Sequence, residues 1–298
     1  MGHASGYARS AGSAWRSRVG QTGPVSVTSD VRVLVGTPCT QGGVTQQYLT
    51  SVLALQRRFD QLGWSLDVQT RADGLVTRTR NLFGSDMVRT DAFTHLLMAD
   101  ADIGFEPSVV ERLVRSGHDV VGACVPFREA RWSRVREAVD VAPDLLPEEL
   151  ESMAHRYAVS FEAPHPGVVV QAEDGFLPAR FVGGALLLAR RDVFVQLSHS
   201  EVVDRYESAG PRSLGPTDGW TFFDPLVDPA TDFYLSEDYA FCYRWREIGG
   251  TVWADVLSRV THNGTVTVRG DIALTLRTAA RLATKSQATG DAGHSPDP

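Results

Sequence analysis

The chain has 298 residues, of which 43% are hydrophobic and 22% charged, and its formal net charge is -7. This composition is typical of a folded globular protein, and no basic stripe indicates a nucleic acid partner. The three cysteines are widely separated and form no CxxC pair. They therefore disfavour a structural zinc site and are typical of reduced thiols in a cytoplasmic protein.

The basic residues are almost all arginines. Lys285 is the only lysine among 29 lysine and arginine residues, and it lies near the end of the chain. A Schiff-base lysine or a P-loop lysine in the core is therefore excluded, and phosphate recognition would use arginine, backbone N–H groups or a metal. The same bias, with abundant alanine, valine and glycine, favours a GC-rich bacterial or phage genome.

No segment suggests targeting or membrane insertion. None reaches the roughly 18 apolar residues that a membrane span needs. The first residues include arginines but no apolar stretch, so they do not resemble a secretory signal. We therefore predict a cytoplasmic protein with no transmembrane segment.

Strands and helices alternate in the first half of the chain. Apolar β-branched runs predict strands at 31–38, 65–71, 95–100 and 119–125, and apolar residues at helical spacing predict helices at 45–63, 75–90 and 107–117. Gly63 is the expected end of the first helix, and a proline opens the third. This alternation predicts βαβ units and an α/β fold with a mainly parallel central sheet.

The second half is less regular. We predict helices at 147–155, from 192 and at 236–250, with Ser236 as the N-cap of the last, and strands at 157–163, 167–172, 179–191 and 251–256. The sequence "THNG" at 261–264 is expected to end the last strand. A loop rich in proline, glycine and aromatic residues covers 210–234. We expect one domain at 31–275, with halves at 31–126 and 127–275, a disordered tail at 1–30, and a helix end with a disordered tail at 276–298.

The sequence "THLLMADADIGFEP" at 94–107 places two aspartates after an apolar run. If both belong to the strand, Asp100 and Asp102 face the same way. They then lie at the carboxyl end of the sheet, where ligands bind in open α/β folds. Two such carboxylates repel each other unless a cation lies between them, and Mg²⁺ or Mn²⁺ suits oxygen ligands. Alternatively, one aspartate caps the next helix and the other is solvated.

Four stretches, in order, resemble the GT-A-type glycosyltransferases, the family 2-like enzymes that use a nucleotide-sugar and carry a DxD motif. They are "RTRNLFGSDMVRTDAFTHLLMADADIGFEP", "FVGGALLLARRDVF", "YLSEDYAFCYRWREIGGTVWAD" and "VTHNG". The resemblance covers about residues 31 to 270. It departs from the commonest pattern after the second strand, where "QTRADGL" stands in place of an acid-rich stretch. It implies a single Rossmann-like GT-A domain with a nucleotide-binding half and an elaborated acceptor half.

The resemblance also implies roles for individual residues. Mn²⁺ or Mg²⁺ would be held by Asp100, Asp102 and His262. The UDP- or GDP-sugar donor would meet Thr37, Pro38, Arg80, Asn81 and Asp100. Asp238, or else Glu237, would be the catalytic base for an acceptor hydroxyl, and direct attack would invert the anomeric centre. Gly183, Gly184 and Trp220 would lie near the acceptor.

Each of these residues also has a plainer interpretation. His262 could be a solvent-facing histidine at a strand end, and Arg80 a surface arginine. Glu237 and Asp238, in the first turn of the helix predicted at 236–250, could simply stabilise the helix dipole. Trp220 could anchor its loop together with Phe222 and Phe223. At the level of function, the alternatives are a nucleotidyltransferase, which would normally have a basic glycine-rich loop, and a non-catalytic nucleotide- or carbohydrate-binding domain.

Overall fold

The secondary structure alternates as predicted at first and then departs from the prediction. The computed structural model describes residues 30–40, 42–162, 172, 174–207, 218–264 and 268–291. The strands in these ranges are β1 (Arg32–Pro38), β2 (Ser65–Arg71), β3 (His95–Ala99), β4 (Ile103–Phe105), β5 (Val120–Ala123), β6 (Val159–Phe161), β7 (Phe176–Val182), β8 (Leu186–Arg190), β9 (Arg205–Glu207), β10 (Asp218–Trp220), β11 (Leu226–Val227), β12 (Tyr234–Leu235), β13 (Val252–Asp255), β14 (Val260–His262) and β15 (Val268–Gly270). The helices are α1 (Gln46–Leu62), α2 (Val76–Arg89), α3 (Pro107–Arg115), α4 (Trp132–Val141), α5 (Pro147–Ala154), α6 (Arg191–Ser198), α7 (Glu237–Glu247) and α8 (Ile272–Asp291).

Eight strands form the central sheet, in the order β2-β1-β3-β8-β5-β13-β7-β6. β1 is parallel to β2 and β3, and β5 is parallel to β13. β8 is antiparallel to β3 and β5, and β7 is antiparallel to β13 and β6. All strands of this sheet except β8 and β7 therefore run the same way. The prediction of an α/β fold with a mainly parallel central sheet is confirmed.

Both faces of the sheet are buried under helices. Leu34 and Met98 belong to one core cluster, with side chains of α2, α6 and α7. Their neighbours Val35 and Leu97 belong to the other cluster, with side chains of α1 and α3. This division follows the alternation of side chains along a strand. Strands buried on both sides must be apolar throughout, which explains the continuous hydrophobic runs in the sequence.

The helix signals are confirmed where they are strongest. The Thr45 hydroxyl accepts a hydrogen bond from the Tyr48 N–H at 3.3 Å and caps α1. α1 ends at Gly63, whose φ of 68° is left-handed and favours glycine. Pro107 opens α3, where its missing N–H costs no intrahelical bond. The three cysteines are free and buried, in keeping with the predicted reduced thiols.

The two aspartates do not lie in a strand. β3 ends at Ala99, and residues 100–102 form a turn in which the Ile103 N–H donates to the Asp100 carbonyl at 3.2 Å. The expectation that alternation along a strand puts Asp100 and Asp102 on one face is therefore wrong. The turn leads into β4, a strand too short for its period to show in the sequence.

The predicted last strand is in fact two strands of different sheets. β13 lies in the central sheet, whereas β14 pairs with β4 and β15 in a three-stranded sheet. The chain turns after Asp255, whose carboxylate accepts hydrogen bonds from the Leu257 N–H and the Ser258 hydroxyl. His262 is thereby placed opposite Ile103, next to the aspartate turn.

The two predicted halves of the domain share one sheet. The predicted strand at 179–191 is divided at Gly183 and Gly184 into β7 and β8, and β8 lies between β3 and β5. α8 extends across the predicted boundary at 275 as far as Asp291, through residues predicted as tail. The rest of both predicted tails, and most of the predicted strand at 167–172, lie outside the described residues. No helix among the described residues is long and apolar enough to cross a membrane.

Candidate functional site

Three parts of the chain meet beyond the carboxyl ends of β1 and β3. The Thr45 N–H donates to the Ala101 carbonyl at 2.8 Å, which ties the start of α1 to the 100–102 turn. The Asp100 N–H donates to the Ala185 carbonyl at 2.9 Å, which ties the same turn to the start of β8. Ligands of open α/β sheets bind at this edge. The turn thus stands where the sheet is open to a ligand.

Arg80 is a buried cation at the centre of this region. It projects from α2 and is only 2% exposed. Its Nη2 donates to Asp100 Oδ1 at 2.7 Å, and its Nη1 lies 3.5 Å from Glu237 Oε1. The interpretation of Arg80 as a surface arginine is excluded by this burial. A buried guanidinium between two carboxylates fixes both of them in place, because either acid without it would be an uncompensated charge.

Glu237 is a mostly buried carboxylate beside Arg80. Burial raises the pKa of Glu237 above its ordinary value, while the charge of Arg80 opposes that rise. Nε and Nη1 of Arg80 are buried and have no hydrogen-bond partner among the described residues. The predicted contact of Arg80 with a base or diphosphate stays a prediction. In this structure, the guanidinium of Arg80 contacts Asp100 and Glu237.

Gly184 and Asp238 form the next layer. Asp238 Oδ2 accepts a hydrogen bond from the Gly184 N–H at 3.0 Å. Asp238 Oδ1 accepts from the Ser236 hydroxyl at 2.5 Å and from the Tyr239 N–H at 2.8 Å. A carboxylate has about four acceptor positions, so one remains open on Oδ2. Gly183 also allows close packing, since a Cβ there would lie 2.7 Å from the Ala158 Cβ.

Asp102 pairs with His262, as the resemblance implies. His262 Nε2 lies 3.5 Å from Asp102 Oδ2. His262 Nδ1 lies 2.8 Å from the Pro126 carbonyl, which can only accept, so Nδ1 must carry the proton. Burial alone would lower the pKa of His262, but the Asp102 carboxylate and the Pro126 carbonyl raise it above its ordinary value. Burial would raise the pKa of Asp102, but the hydrogen bond and charge of His262, together with the charge of Arg128, lower it below its ordinary value.

These residues fit a metal ion as a pair, not as the predicted set of three. Among the described residues, no three histidine, cysteine or acidic side chains form a metal-binding group. Asp100 is bound by Arg80 in this structure, and its assignment as a third ligand stays a prediction. Asp102 and His262 remain suitable, since a backbone carbonyl on the far ring nitrogen leaves Nε2 as the metal-facing atom. Mg²⁺ and Mn²⁺ sites commonly complete their coordination with water and phosphate oxygens.

Arg128 is the residue of this region that the sequence did not reveal. Its Nη1 lies 3.0 Å from Asp102 Oδ2 and 3.2 Å from the Asn263 carbonyl. Asn263 holds the Asp102 carbonyl in turn, through its N–H at 2.8 Å and its side-chain amide at 3.0 Å. Arg128 follows β5 in an irregular stretch, so no spacing could have indicated it. Asn263 follows His262 in the "THNG" sequence, and this sequence did not indicate its contact with Asp102.

Thr37 and Pro38 are buried at the end of β1. The Thr37 hydroxyl shares a hydrogen bond with the Tyr48 hydroxyl. Its side chain is thus engaged by α1, and a ligand would reach mainly the backbone here. Gly42, in the exposed loop that follows, has a left-handed φ of 71° and open space where a Cβ would stand.

Among the described residues, the side chains of Asn81 and Trp220 form no hydrogen bond with Asp100, Asp102 or Asp238. The Asn81 side chain donates to Asp224 Oδ1 at 2.6 Å and accepts from the Phe223 N–H at 2.7 Å, so both of its polar atoms hold a loop. Its predicted contact with the nucleotide stays a prediction. Trp220 contacts Ser85 and Phe222, and the Arg205 guanidinium lies 5.7 Å from its ring centre. Phe222 and Phe223 are fully buried, in keeping with the interpretation that these rings anchor the loop.

Two cavities flank the site. One of about 600 Å³ is bordered by Ser236, Asp238 and Tyr239 and by residues of the segment around α4 and α5. The other, of about 750 Å³, lies between α1, α5 and the three-stranded sheet. Only the smaller cavity is bordered by one of the predicted catalytic residues.

Comparison with known proteins gives only distant likenesses. No family model and no curated protein matches the chain. A crystal structure of a protein from STIV has a TM-score of 0.42 at 12% identity, covering 80% of this chain and 94% of its own. GalNAc-T7, solved with UDP, GalNAc and Mn²⁺, has a TM-score of 0.41 at 12% identity, covering 85% and 48%. A Bacillus anthracis structure titled as a glucose-1-phosphate thymidylyltransferase, solved with sucrose, has a TM-score of 0.35 at 8% identity, covering 86% and 94%. At these scores, the likenesses carry no argument about function.

Proposed function

We propose that the chain is a metal-dependent glycosyltransferase that moves a sugar from a nucleoside-diphosphate sugar to an acceptor hydroxyl. The observation that carries the proposal is the meeting of Arg80, Asp100, Asp102, Asp238 and His262 at one edge of the sheet. These residues come from segments far apart in the sequence. Acids gathered around one buried arginine at the open edge of a sheet are the kind of arrangement found at functional sites.

The donor side of the site is formed by the ends of β1 and β3. The N-terminus of α1 lies beside the 100–102 turn, and the N-terminus of a helix suits phosphate oxygens. Thr37 and Pro38 would lie beside the base of UDP or GDP. The core of the chain has no lysine, so arginine or a metal must neutralise the diphosphate.

Asp102 and His262 would hold the metal, with Asn263 fixing the backbone of Asp102. A bound divalent ion would stabilise the negative charge that develops on the leaving diphosphate. Arg128, now paired with Asp102, is exposed enough to turn toward the diphosphate oxygens, its side chain being 49% exposed. Asp100 and Arg80 would keep the turn in place.

Asp238 would act as the base. Its open acceptor position lies on the oxygen already bonded to Gly184, and the residue borders the 600 Å³ cavity. The acceptor hydroxyl oxygen would form the new bond to the anomeric carbon while its proton passes to Asp238. The bond from that carbon to the diphosphate oxygen would break, and its electron pair would leave with the diphosphate. Direct attack of this kind inverts the anomeric centre.

Thermal unfolding with UDP and GDP, each with and without Mn²⁺, tests the donor side. Nucleotide at 100 times its Kd adds about 2.7 kcal/mol of stability. We expect a shift with one nucleotide that requires Mn²⁺ and disappears in Asp102→Asn. The matched control is Asp119→Asn, whose exposed carboxylate lies at the start of β5.

Three other results would overturn parts of the proposal. A nucleotide shift that needs no Mn²⁺ and is lost in Arg128→Gln would make arginine, not a metal, the cation at Asp102. Turnover of a nucleoside triphosphate to pyrophosphate would identify a nucleotidyltransferase. A shift without any donor hydrolysis or transfer would indicate a binding domain. The cytoplasmic location and bacterial origin stay predictions.

A further inference from the structure

The 600 Å³ cavity beside Asp238 has a basic and aromatic lining. Its wall includes Phe127, Arg134, His155, Arg156, Tyr157 and Tyr239. Asp238 is the only acidic residue among the described residues that border it. The size is within the range of small-molecule sites, which runs from about 300 to 1,000 Å³. The cavity is thus large enough for a ligand beyond the reacting hydroxyl.

The positive charge in this cavity is poorly compensated. Arg134 projects from α4, is half-buried, and has no ion pair with any described carboxylate. Among the described residues, the guanidinium of Arg156 forms an ion pair only with Glu129, at 3.8 Å. Glu129 also pairs with Arg131 at 3.6 Å. Both arginines therefore keep most of their hydrogen-bonding capacity for another group. Planar guanidinium groups bind phosphate oxygens in pairs, which makes phosphate a suitable occupant.

The third basic group is oriented by the backbone. His155 is buried, and its Nδ1 lies 3.0 Å from the Glu129 carbonyl, so that this nitrogen donates. Nε2 is left to interact with a ligand. The aromatic side chains provide the apolar part of the wall: the Arg156 guanidinium lies 5.2 Å from the Phe127 ring centre, and Tyr239 is stacked on Phe181 at 4.9 Å. A ring with a phosphate on one side matches this combination.

We propose that the acceptor is a phosphorylated hydroxyl compound, with its phosphate between Arg134 and Arg156 and its hydroxyl toward Asp238. This inference rests on the proposed function, since it assigns the second substrate of that reaction. A phosphate monoester carries a charge of about -1.5 to -2 at pH 7, which the two arginines balance. The same chemistry occurs in a soluble sugar phosphate and in the phosphate headgroup of a lipid.

The test measures the binding of inorganic phosphate, glucose 6-phosphate and glucose by calorimetry. We expect the two phosphates to bind and glucose to bind more weakly. In the double variant Arg134→Gln/Arg156→Gln, the affinity for both phosphates should fall by about tenfold or more. Arg136→Gln is the matched control, because Arg136 is on the same helix but exposed and does not border the cavity.

A second experiment distinguishes a soluble sugar phosphate from the phosphate headgroup of a lipid. Vesicles of phosphatidylcholine are compared with the same vesicles containing phosphatidic acid. Binding to the phosphatidic acid vesicles that is lost in the double variant, and kept in Arg136→Gln, would assign a lipid-linked phosphate. Binding of glucose 6-phosphate alone would assign a soluble acceptor.

Phosphate affinities that are equal in wild type and double variant would overturn the proposal. So would failure of every phosphate probe to bind. Binding of UDP and Mn²⁺ to the double variant is measured in parallel. If it persists while phosphate binding is lost, the acceptor site is distinct from the donor site. If UDP and Mn²⁺ never bind the wild type, the proposed function fails separately. Unliganded thermal unfolding of each variant shows that it is folded.

Discussion

The guanidinium of Arg80 occupies the space in which a side chain on Gly184 would begin. A Cβ at residue 184 would overlap Arg80 Nη1 and approach the Asp238 Cβ at 3.1 Å. Glycine at this position is thus what allows Arg80 to reach both Asp100 and Glu237. The relationship links α2, the start of β8 and the start of α7 through one side chain.

Gly184→Ala should therefore displace the guanidinium and leave Asp100 and Glu237 without their cation. We expect a loss of about 3 kcal/mol of unfolding free energy, the scale for removing one partner of a buried ion pair. Urea unfolding measures it. Gly74→Ala is the control, because a Cβ there meets nothing within 4 Å. Equal stability of the two variants would show that Arg80 is not confined by residue 184.

Asn81→Ala should weaken the fold rather than nucleotide binding. The change leaves the buried Phe223 N–H and the Asp224 carboxylate without their amide partner, which costs about 2 to 3 kcal/mol. Urea unfolding and UDP binding are measured together. Gln56→Ala, which removes an exposed hydrogen bond to Asp60, is the control. A variant of unchanged stability that binds UDP more weakly would restore Asn81 to the nucleotide site.

His118 should make the protein less stable as the pH falls. Burial lowers the pKa of His118 to about 4, with its ring stacked on Trp253 at 4.2 Å, and an unfolded histidine has a pKa near 6.5. The unfolded chain therefore binds more protons between pH 6.5 and 4. The stability provided by neutral His118 is present above pH 6.5 and is lost as the pH falls through 4.

In His118→Gln, the decrease in unfolding free energy between pH 7 and pH 4 should be smaller by on the order of 1 to 2 kcal/mol. The effect is limited because the ring is only partly buried. Thermal unfolding from pH 7 to pH 4 gives the slope. The exposed His199 provides the control variant His199→Gln, which should leave the slope unchanged. A slope that is the same in all three proteins would contradict the assignment to His118.

Asp238→Asn should abolish sugar transfer while leaving UDP binding intact. General-base groups typically contribute about 10² to 10⁴ in rate, and the asparagine retains the size but not the basicity of the side chain. Donor turnover and UDP affinity are compared with those of Glu237→Gln. Because Glu237 is directed toward Arg80 rather than bordering the cavity, we expect a smaller loss from it. A larger loss of transfer activity in Glu237→Gln than in Asp238→Asn would make Glu237 the base.

Much of the fold follows from local sequence signals. β1, α1, β2, α2 and α3 are predicted within a residue or two, because each has a clear apolar pattern, and α1 and α3 also have a glycine or a proline that marks an end. β4, β14 and β15 have three residues each, too few for a period to show. The pairing of β4 with β14 depends on contacts between residues about 160 positions apart, such as His262 with Ile103, which no local pattern encodes.

The site divides in the same way. The sequence pattern itself indicates Asp100 and Asp102, the resemblance adds Arg80, Asp238 and His262, and the structure brings these residues together. Their partners could not be inferred. The role of Arg80 depends on burial, which a helix period alone does not give, and Arg128 reaches Asp102 from an irregular segment. The side chain of Asn81 is directed by a loop 142 residues later in the chain.

The position of β8 has a consequence for how the chain is made. β3 and β5 each need β8 as a neighbour, yet β8 is synthesised about 70 residues after β5. Until residue 190 has left the ribosome, two hydrophobic strands present unpaired edges, and such edges promote aggregation. A fragment ending near residue 126 would retain this exposure permanently. The nascent first half of the protein is thus a natural client for chaperones, and folding as a whole must wait for a long-range pairing, which is intrinsically slow.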